Sequence, residues 1–281
     1  LLLTTKDELR SLSAAEFYDE FCRVPPRAAA DFWRSGGVTG QPLLYPRTRE
    51  DVDVAVDMYS RGFSMWGVCH DDLFFNAFPI NVHPVGHVYA QALARLGHRQ
   101  VWAGSGLNTP SEQQVEMLGA LRPSVLLGMP SYCIHLAQLM AERGGDPRAL
   151  GLRLVICCAE ALTGEKRRQL KALWGAPVAD AFGMSEGGHL TSSCTAAERP
   201  HLFADLCHVQ VLDEATLRPV PPGQRGMLVV TPLYTGQATP FVRWVTGDLV
   251  SLGGPCPCGG PYGGETLVLS GRTSGFWKVR G

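Results

Sequence analysis

Short apolar runs alternate with longer, more polar segments of helical pattern along most of this chain. Near its middle, an apolar run at 152–158 precedes a helix-like segment at 163–173, and a second short run follows at 177–182. Apolar runs of this length are typical of buried strands, so this order predicts a βαβ unit. Because similar units precede it, we expect an α/β fold with mainly parallel sheets flanked by helices.

The same periodicity predicts the other elements. Helices are expected at 5–21, 48–61, 111–121 and from the loop 81–88 through 96. Strands are expected at 74–80, 99–103 and 125–128, and a further helix starts at 129–132. Beyond residue 186, short β-rich runs at 208–212, 226–231 and 241–245 are separated by Pro- and Gly-containing turns. We therefore predict an α/β portion at 1–190 and a smaller antiparallel β-rich portion at 191–281.

The amino-acid composition excludes several classes of protein. With 281 residues, 45% of them hydrophobic, the chain can bury a large core. Its formal net charge of -1 provides no basic field for nucleic acid, and no apolar run approaches the roughly 20 residues that span a bilayer. The start, Leu1-Leu2-Leu3, turns polar at once, unlike a secretory signal. We expect a cytoplasmic protein that binds neither nucleic acid nor membrane.

A glycine-rich turn follows the second strand of the central βαβ unit. Ligands of parallel α/β sheets bind beyond the carboxyl ends of the strands, where Phe182 to Glu186 would emerge. Gly183 lets the backbone approach a flat ligand, Phe182 would lie against that ligand, and Glu186 places a carboxylate near a phosphate-bound Mg²⁺. A nucleotide fits this set, and an ordinary turn with a solvated Glu186 is the alternative.

Two further loops have chemistry that suits a nucleotide. The Ser/Thr/Gly loop 35–42 would turn backbone N–H groups and the Ser35 and Thr39 hydroxyls toward a polyphosphate, although a glycine-rich hairpin has the same pattern. Gln41 occupies a position where a cation would neutralise phosphate charge. Near 246–248 we expect a strand to end on a Gly-Asp turn, with Asp248 placed to accept hydrogen bonds from ribose hydroxyls.

Other segments give weaker signals. The segment 5–21 is predicted as a helical region capped by Thr5 and Glu8, with no chemistry that its residues indicate. His83 and His87 lie four residues apart, but no glutamate between them supports a protease-type zinc pair, so core or pocket-wall positions are favoured.

Six motifs in this order and spacing resemble those of adenylate-forming enzymes, and most of all the phenylacetate-CoA ligase group. The likeness covers nearly the whole chain. Its motifs are the loop 35–42, Pro130-Ser131-Tyr132, Cys158-Ala159-Glu160, Phe182-Gly183-Met184-Ser185-Glu186, Thr246-Gly247-Asp248, and Gly271-Arg272 through Lys278-Val279-Arg280-Gly281.

The resemblance implies a role for each matched residue. Ser35 and Thr39 would hold the ATP phosphates, Glu186 would bind Mg²⁺, and Asp248 with Arg272 would take the ribose hydroxyls. The residues expected around adenine and AMP are Ala159, Glu160, Asp180, Phe182, Gly183, Met184 and Ser185. Lys278 joins Glu186 as a candidate catalytic residue.

The implied reaction joins a carboxylic acid to AMP, with release of pyrophosphate from ATP, and then transfers the acyl group to CoA or to a phosphopantetheinyl carrier protein. Val38 and Gln41 replace a Thr and a Lys of the family's loop, and Ser274-Gly275 replaces an acidic hinge pair. Both ends look truncated, and the family's small C-terminal domain with its catalytic lysine is expected beyond residue 281. The fragment alone should adenylate poorly. A non-catalytic nucleotide-binding relative is the alternative class, and a homodimer is left open.

For the acid substrate, the likeness points to a mostly apolar, partly aromatic wall. The candidate lining residues are Phe78, His83, Met129, Tyr132 and Gly188. A flat aromatic acid would fit such a wall, whereas few charges are present to meet an amino group or a second carboxyl group. The alternative is that these side chains only pack the core between sheet and helices.

The nine cysteines are unevenly clustered, which favours reduced thiols and a metal over disulfides. Cys256 and Cys258 form a tight C-x-C pair, and Cys194 and His201 are close in sequence. Three sulfurs and one imidazole would make a closed, structural Zn²⁺ site. Four unrelated side chains are the alternative, and Cys207-His208 is the competing ligand pair.

Overall fold

The computed structural model describes residues 2–34, 43–234, 237–259 and 264–272. The predicted site residues Ser35, Thr39 and Lys278 lie outside the described residues, as do Val38, Gln41 and Ser274-Gly275.

Among the described residues, none of the helices combines the length and the apolar character that a membrane span requires. The α-helices are α1 (Lys6–Ser11), α2 (Ala14–Glu16), α3 (Arg49–Met65), α4 (Val85–Arg95), α5 (Ser111–Leu121), α6 (Pro130–Glu142) and α7 (Gly164–Trp174). Short 3₁₀ turns occupy Pro26–Ala28 and Pro147–Leu150, and a π-helical turn occupies Phe17–Phe21.

The strands fall into a parallel and a mostly antiparallel group. They are β1 (Asp31–Arg34), β2 (Leu44–Arg47), β3 (Leu73–Asn76), β4 (Arg99–Trp102), β5 (Val125–Gly128), β6 (Leu154–Cys157), β7 (Val178–Met184), β8 (Gly188–Ser193), β9 (Pro200–Leu202), β10 (Cys207–Leu212), β11 (Gly226–Pro232), β12 (Trp244–Pro255) and β13 (Glu265–Arg272).

The chain forms two compact units. The first unit contains the described residues of Leu1–Ala55, Met184–Thr191 and Arg199–Gly281, and the second contains Val56–Gly183 and Ser192–Glu198.

The second unit is a parallel sheet with helices. Its strands follow the order β7-β6-β5-β3-β4, and each neighbouring pair is parallel. Side chains from β3, β5 and β6 and from α5, α6 and α7 share one buried cluster, which includes Phe75, Leu126, Val155 and Trp174. Strands buried in this way are expected where helices cover the sheet. The predicted α/β class is confirmed.

The first unit is β-rich. β10, β11, β12, β13 and β9 pair in that order, all antiparallel, and β1 pairs with β2. An aromatic cluster fills its core around Tyr45, with Phe17, Phe241 and Trp244. The smaller antiparallel portion predicted from the sequence is therefore present.

The predicted helical region 5–21 is divided. Thr5 Oγ1 accepts from the Glu8 N–H at 3.2 Å while Glu8 Oε2 accepts from the Thr5 N–H at 2.7 Å, which confirms the predicted cap. Ser13 and Glu16 repeat this arrangement and start a new helix. The intervening Leu12 is extended, so the helical region consists of separate short segments.

The strand predicted at 74–80 ends at Asn76. The Asn76 side chain donates to the Gly86 carbonyl at 3.2 Å and accepts from the Phe78 N–H at 3.1 Å. Because a side chain takes these backbone partners, the strand pairing stops there. His83 precedes α4, which begins at Val85, so His83 and His87 do not share a helix face.

Residues 246–248 do not form the predicted strand end. They lie inside the long strand β12, where Gly247 adopts a left-handed conformation with φ of +79°. Thr246 Oγ1 accepts a hydrogen bond from the Asp248 N–H at 3.0 Å, and the register shifts just beyond, between Leu249 and Val250. The glycine thus marks an irregularity within the strand, which a turn signal in the sequence does not distinguish.

Candidate functional site

Glu186 lies in the turn before β8 and is 7% exposed. The buried hydroxyl of Tyr45 donates a hydrogen bond of 3.0 Å to Glu186 Oε1. Tyr45 packs edge-on against Phe241, with 5.0 Å between ring centroids. The packing of Tyr45 therefore orients the carboxylate for which the sequence predicts a magnesium role, and carboxylate oxygens are ligands that Mg²⁺ prefers.

Arg47 fixes the backbone beside Glu186. Its guanidinium donates to the Ser185 carbonyl oxygen and to Thr239 Oγ1. Burial lowers the pKa of Arg47, although nearby carboxylates, including Glu186, oppose that shift. Sequence reasoning missed both Tyr45 and Arg47. The available signal was an arginine in the apolar run that became β2, since a cation in a buried strand needs specific partners.

Asp248 and Arg272 face each other across β12 and β13. Arg272 Nε lies 3.1 Å from Asp248 Oδ1, and Arg272 Nη2 donates to the Thr246 carbonyl at 3.3 Å. Burial raises the pKa of Asp248, and the Arg272 charge opposes the shift. The two residues predicted for the ribose hydroxyls are thus brought together, with the carboxylate largely shielded from water.

Met184 and Ser185 lead into the Glu186 turn. Ser185 Oγ donates to the Arg34 carbonyl at 3.1 Å, and Met184 packs against the aromatic cluster of the first unit. Both residues remain partly exposed. A ligand beside Glu186 would therefore meet two side chains whose positions are already fixed.

The predicted adenine-site residues other than Met184 and Ser185 lie in the second unit. Burial raises the pKa of Asp180 to about 7, although the Arg167 charge opposes the shift. The Asp180 N–H donates to Ser193 Oγ at 2.7 Å. Phe182 and Gly183 are partly exposed residues of β7 itself rather than of a loop after it.

Glu160 is engaged within the second unit. Its carboxylate accepts from the Ser131 N–H at 3.0 Å and forms an ion pair with Lys166. Burial acts to raise the pKa of Glu160, but these hydrogen bonds outweigh it and the pKa is lowered. The preceding Ala159 has a left-handed backbone, with φ of +66°. The contact that Ala159 and Glu160 make with a nucleotide stays a prediction.

The predicted acid-pocket residues have different environments. Phe78 is fully buried and stacks on Tyr89, with 5.1 Å between ring centroids and 5° between ring planes. Met129 and Tyr132 are half-buried at the start of α6, and the Tyr132 hydroxyl lies 3.2 Å from Ser111 Oγ. Tyr132 is thus better placed than Phe78 to meet a ligand.

The remaining acid-pocket candidates are His83 and Gly188. His83 is half-buried, and its backbone N–H donates to Asn81 Oδ1 at 2.9 Å. Gly188, in the first unit, is buried with φ of +73°, so its backbone conformation alone favours glycine. The substrate-binding roles of both residues stay predictions.

Three of the predicted zinc ligands lie in the first unit. His201 belongs to β9, and Cys256 and Cys258 lie in the turn between β12 and β13. Cys258 Sγ is 3.4 Å from His201 Nε2, and the ligand atoms of the three residues all lie within 4.8 Å of one another. Two thiols and an imidazole this close together suit a zinc ion.

The fourth predicted ligand, Cys194, belongs to the second unit. It is buried, and its Sγ accepts a hydrogen bond from the Ala197 N–H at 3.3 Å. The competing pair Cys207 and His208 lies in β10, where neighbouring side chains point to opposite faces. Within the described residues, that pair is not part of a ligand cluster.

The family match agrees with this arrangement. The chain belongs to the family of AMP-binding enzymes, which matches residues 35–233. The predicted resemblance to adenylate-forming enzymes is therefore confirmed.

Individual relatives are more specific. The chain is similar to the phenylacetate-coenzyme A ligase of Thermus thermophilus, with 30% identity over 262 residues, covering 92% of this chain and 58% of the relative. The phenylacetate-coenzyme A ligase of Pseudomonas putida is 29% identical over 82% of this chain and 52% of its own length. The chain thus spans about half the length of the curated relatives it matches.

The fold is also known from solved structures. An open conformation of 2-hydroxyisobutyryl-CoA ligase, in complex with 2-HIB-AMP and CoA, matches with a TM-score of 0.84. The match covers 96% of this chain and 59% of that one at 23% sequence identity, so this likeness establishes the fold alone.

Proposed function

We propose that the whole protein uses ATP to activate a carboxylic acid and then forms a thioester with CoA. The observation that supports this most is the charged set of the first unit, in which Tyr45 orients Glu186 and Arg272 faces Asp248. The set belongs to a chain of the AMP-binding family whose relatives are named CoA ligases.

In the first step, a carboxylate oxygen of the acid attacks the α-phosphorus of ATP and the bond to the β-phosphate breaks, which releases pyrophosphate. Such a step needs alignment of the oxygens and neutralisation of charge more than a covalent nucleophile. Asp248 would accept hydrogen bonds from the ribose hydroxyls, while the charge of Arg272 favours the ionised form of its carboxylate and holds it in place. Glu186 would hold Mg²⁺, which supplies charge neutralisation at the phosphates.

In the second step, the sulfur of CoA attacks the acyl carbon and AMP leaves. CoA is favoured over a carrier protein as the acceptor because the relatives are named as CoA ligases. Offering CoA and a phosphopantetheinyl carrier to the full-length protein in parallel would decide between the two.

We further propose an aromatic acid as the substrate. The support is the half-buried, partly aromatic set at the start of α6, where Met129 and Tyr132 offer apolar surface and one hydroxyl. An aromatic ring gains from packing on such a surface, and a hydroxyl would bind one ring substituent.

The test is ATP–pyrophosphate exchange by the full-length protein across a panel of acids. Substituted benzoic or arylacetic acids should support exchange well above acetate, dodecanoate or phenylalanine. Exchange driven best by a fatty acid or an amino acid would show that the substrate class is wrong, and no exchange with any acid would contradict the activity itself.

We also propose that Cys194 joins His201, Cys256 and Cys258 in a structural Zn²⁺ site. The support is the proximity of the three ligands of the first unit and the backbone N–H that is directed at the Cys194 sulfur. Hydrogen bonds of this kind orient metal ligands.

A further inference from the structure

Lys6 and Arg10 stand four residues apart on α1 and so project from the same helix face. Like charges at this spacing repel each other. Neither side chain is fully solvated, since Lys6 is half-buried and Arg10 is 19% exposed. Burial lowers the pKa of Lys6, and the Arg10 charge acts in the same direction. A partly buried pair of cations is unfavourable unless an anion faces it.

The position of this pair is fixed by the backbone. The Thr4 N–H donates to the Arg243 carbonyl at 3.0 Å, and the Val245 N–H donates to the Thr4 carbonyl at 2.9 Å. Thr4 Oγ1 also donates to the Val242 carbonyl at 2.8 Å. These bonds attach the start of α1 to the beginning of β12, the strand that carries Asp248.

Two charged groups of the candidate nucleotide site, Glu186 and Arg272, act on Lys6. Glu186 attracts the Lys6 ammonium, whereas Arg10 and Arg272 repel it. The remaining neighbour, Asp7, is 96% exposed and therefore screened by water. Asp248 is already opposite Arg272 at 3.1 Å. Lys6, Arg10 and Arg272 thus accompany Glu186 and Asp248, while the buried Arg47 beside Glu186 has Asp51 as a second carboxylate, so an excess of one positive charge remains. A metal ion on Glu186 would add to this excess.

Arg10 gives a second indication that an anion belongs here. Its Nε is buried and makes no hydrogen bond within the described part of the chain. Its nearest acidic partner is Asp7, at 3.9 Å from Nη1, a distance too long for a hydrogen bond. A buried guanidinium donor without an acceptor is costly, and a phosphate oxygen would satisfy it.

We propose that Lys6, supported by Arg10, binds the phosphates of ATP in the first unit. This inference depends on the proposed function, which places the nucleotide at Glu186 and at the Asp248–Arg272 pair. Lys6 supplies a point charge to a polyphosphate, the role for which the loop 35–42 has Gln41 instead of a lysine. The competing interpretation is a purely structural ion pair between Lys6 and Glu186.

Calorimetric titration of the full-length protein with Mg-ATP, AMP and adenosine separates these interpretations. Lys6→Met should weaken Mg-ATP binding about tenfold or more, weaken AMP binding less, and leave adenosine binding unchanged, because only the phosphates meet the ammonium. Lys6→Arg keeps the charge and should restore most of the affinity. Lys171→Met is the matched control, since Lys171 pairs with Glu198 in the second unit.

The outcomes are distinct. If wild type binds Mg-ATP and Lys6→Met binds it equally well, the inference is overturned and the proposed function stands. If wild type binds neither Mg-ATP nor AMP, the proposed function and the inference fall together. Should Lys6→Met fail to fold, Arg10→Met gives the same test, with a loss of Mg-ATP affinity of about threefold expected and unchanged affinity contradicting the proposal.

Discussion

At the scale of single residues, the proposed contact with the ribose leads to a prediction about Asp248. It is a shielded carboxylate with Arg272 opposite, so little water is available to replace it as an acceptor. We expect Asp248→Ala to weaken ATP and AMP binding by about 1–3 kcal/mol, because the ribose hydroxyls would lose a charged acceptor. Isothermal titration calorimetry measures this change.

The control for that experiment is Asp57→Ala, which removes a carboxylate that is 66% exposed and pairs only at the surface with Arg95. Its nucleotide affinity should equal that of wild type. Equal affinity in Asp248→Ala would instead remove Asp248 from the nucleotide site.

Which site residues could be predicted depends on where their partners lie in the chain. Glu186 and Asp248 were predicted because each sits in a short motif whose residue types already indicate the chemistry. Tyr45, Arg47 and Lys6 could not be predicted in the same way. Their partners lie more than a hundred residues away, as Glu186 does from Tyr45, and no local pattern encodes such a contact.

At the scale of elements, we predict that the turn between β12 and β13 contributes ligands to a bound metal ion. Purified full-length protein should contain about one zinc per chain, and Cys256→Ser should lose both the metal and stability, because binding free energy at a structural site is folding free energy. Metal analysis and thermal unfolding measure the two effects.

Cys69→Ser is the matched control, because Cys69 is exposed and outside the ligand cluster, and this variant should keep both metal and melting temperature. A metal-free wild type whose melting temperature equals that of Cys256→Ser would refute the site.

Regular elements were more predictable than irregular ones. α5 and β5 begin and end at the predicted residues, since helical spacing and an uninterrupted apolar run leave few alternatives. The strand at 74–80 was too long because the side chain of Asn76 intervenes, and the turn at 246–248 is an irregularity inside β12. In both cases the structure depends on a polar side chain or a glycine, whose effect the hydrophobic periodicity of the sequence does not reveal.

At the scale of the whole molecule, Asp180 should make stability depend on pH. Its folded pKa of about 7 lies above the ordinary value of 3.8. Between these values the unfolded chain has released the proton that the folded chain keeps, so the free energy of unfolding falls as pH rises through this window. Above pH 7 the full cost of a buried carboxylate is present.

Asp180→Asn should therefore raise the free energy of unfolding at pH 8 by on the order of 2–4 kcal/mol, with much less gain near pH 4. Urea unfolding at the two pH values provides the measurement. Asp71→Asn, at a fully exposed carboxylate, should change neither value. An equal effect of Asp180→Asn at both pH values would show that Asp180 does not titrate in this window.

The class of fold was predictable from alternation alone, because few architectures bury repeated βα units. The composition of the first unit was not, since it combines three separate stretches of sequence. Its assembly depends on pairings such as Thr4 with Arg243 and Val245, which local patterns leave open. The division at residue 190 stays a prediction.

The bond from Thr4 to Val242 joins residues 238 positions apart, and this has a consequence for biosynthesis. A ribosome that adds about 5–20 residues per second needs roughly 12–48 s to make the partner strand after Thr4 has appeared. During that interval α1 has no β12 on which to dock, whereas the nearly continuous stretch Val56–Gly183 can already collapse into its parallel sheet. The cations of α1 thus reach Glu186 and Asp248 only after residue 242 has been synthesised, and under the proposed function the nascent chain cannot hold a nucleotide before then.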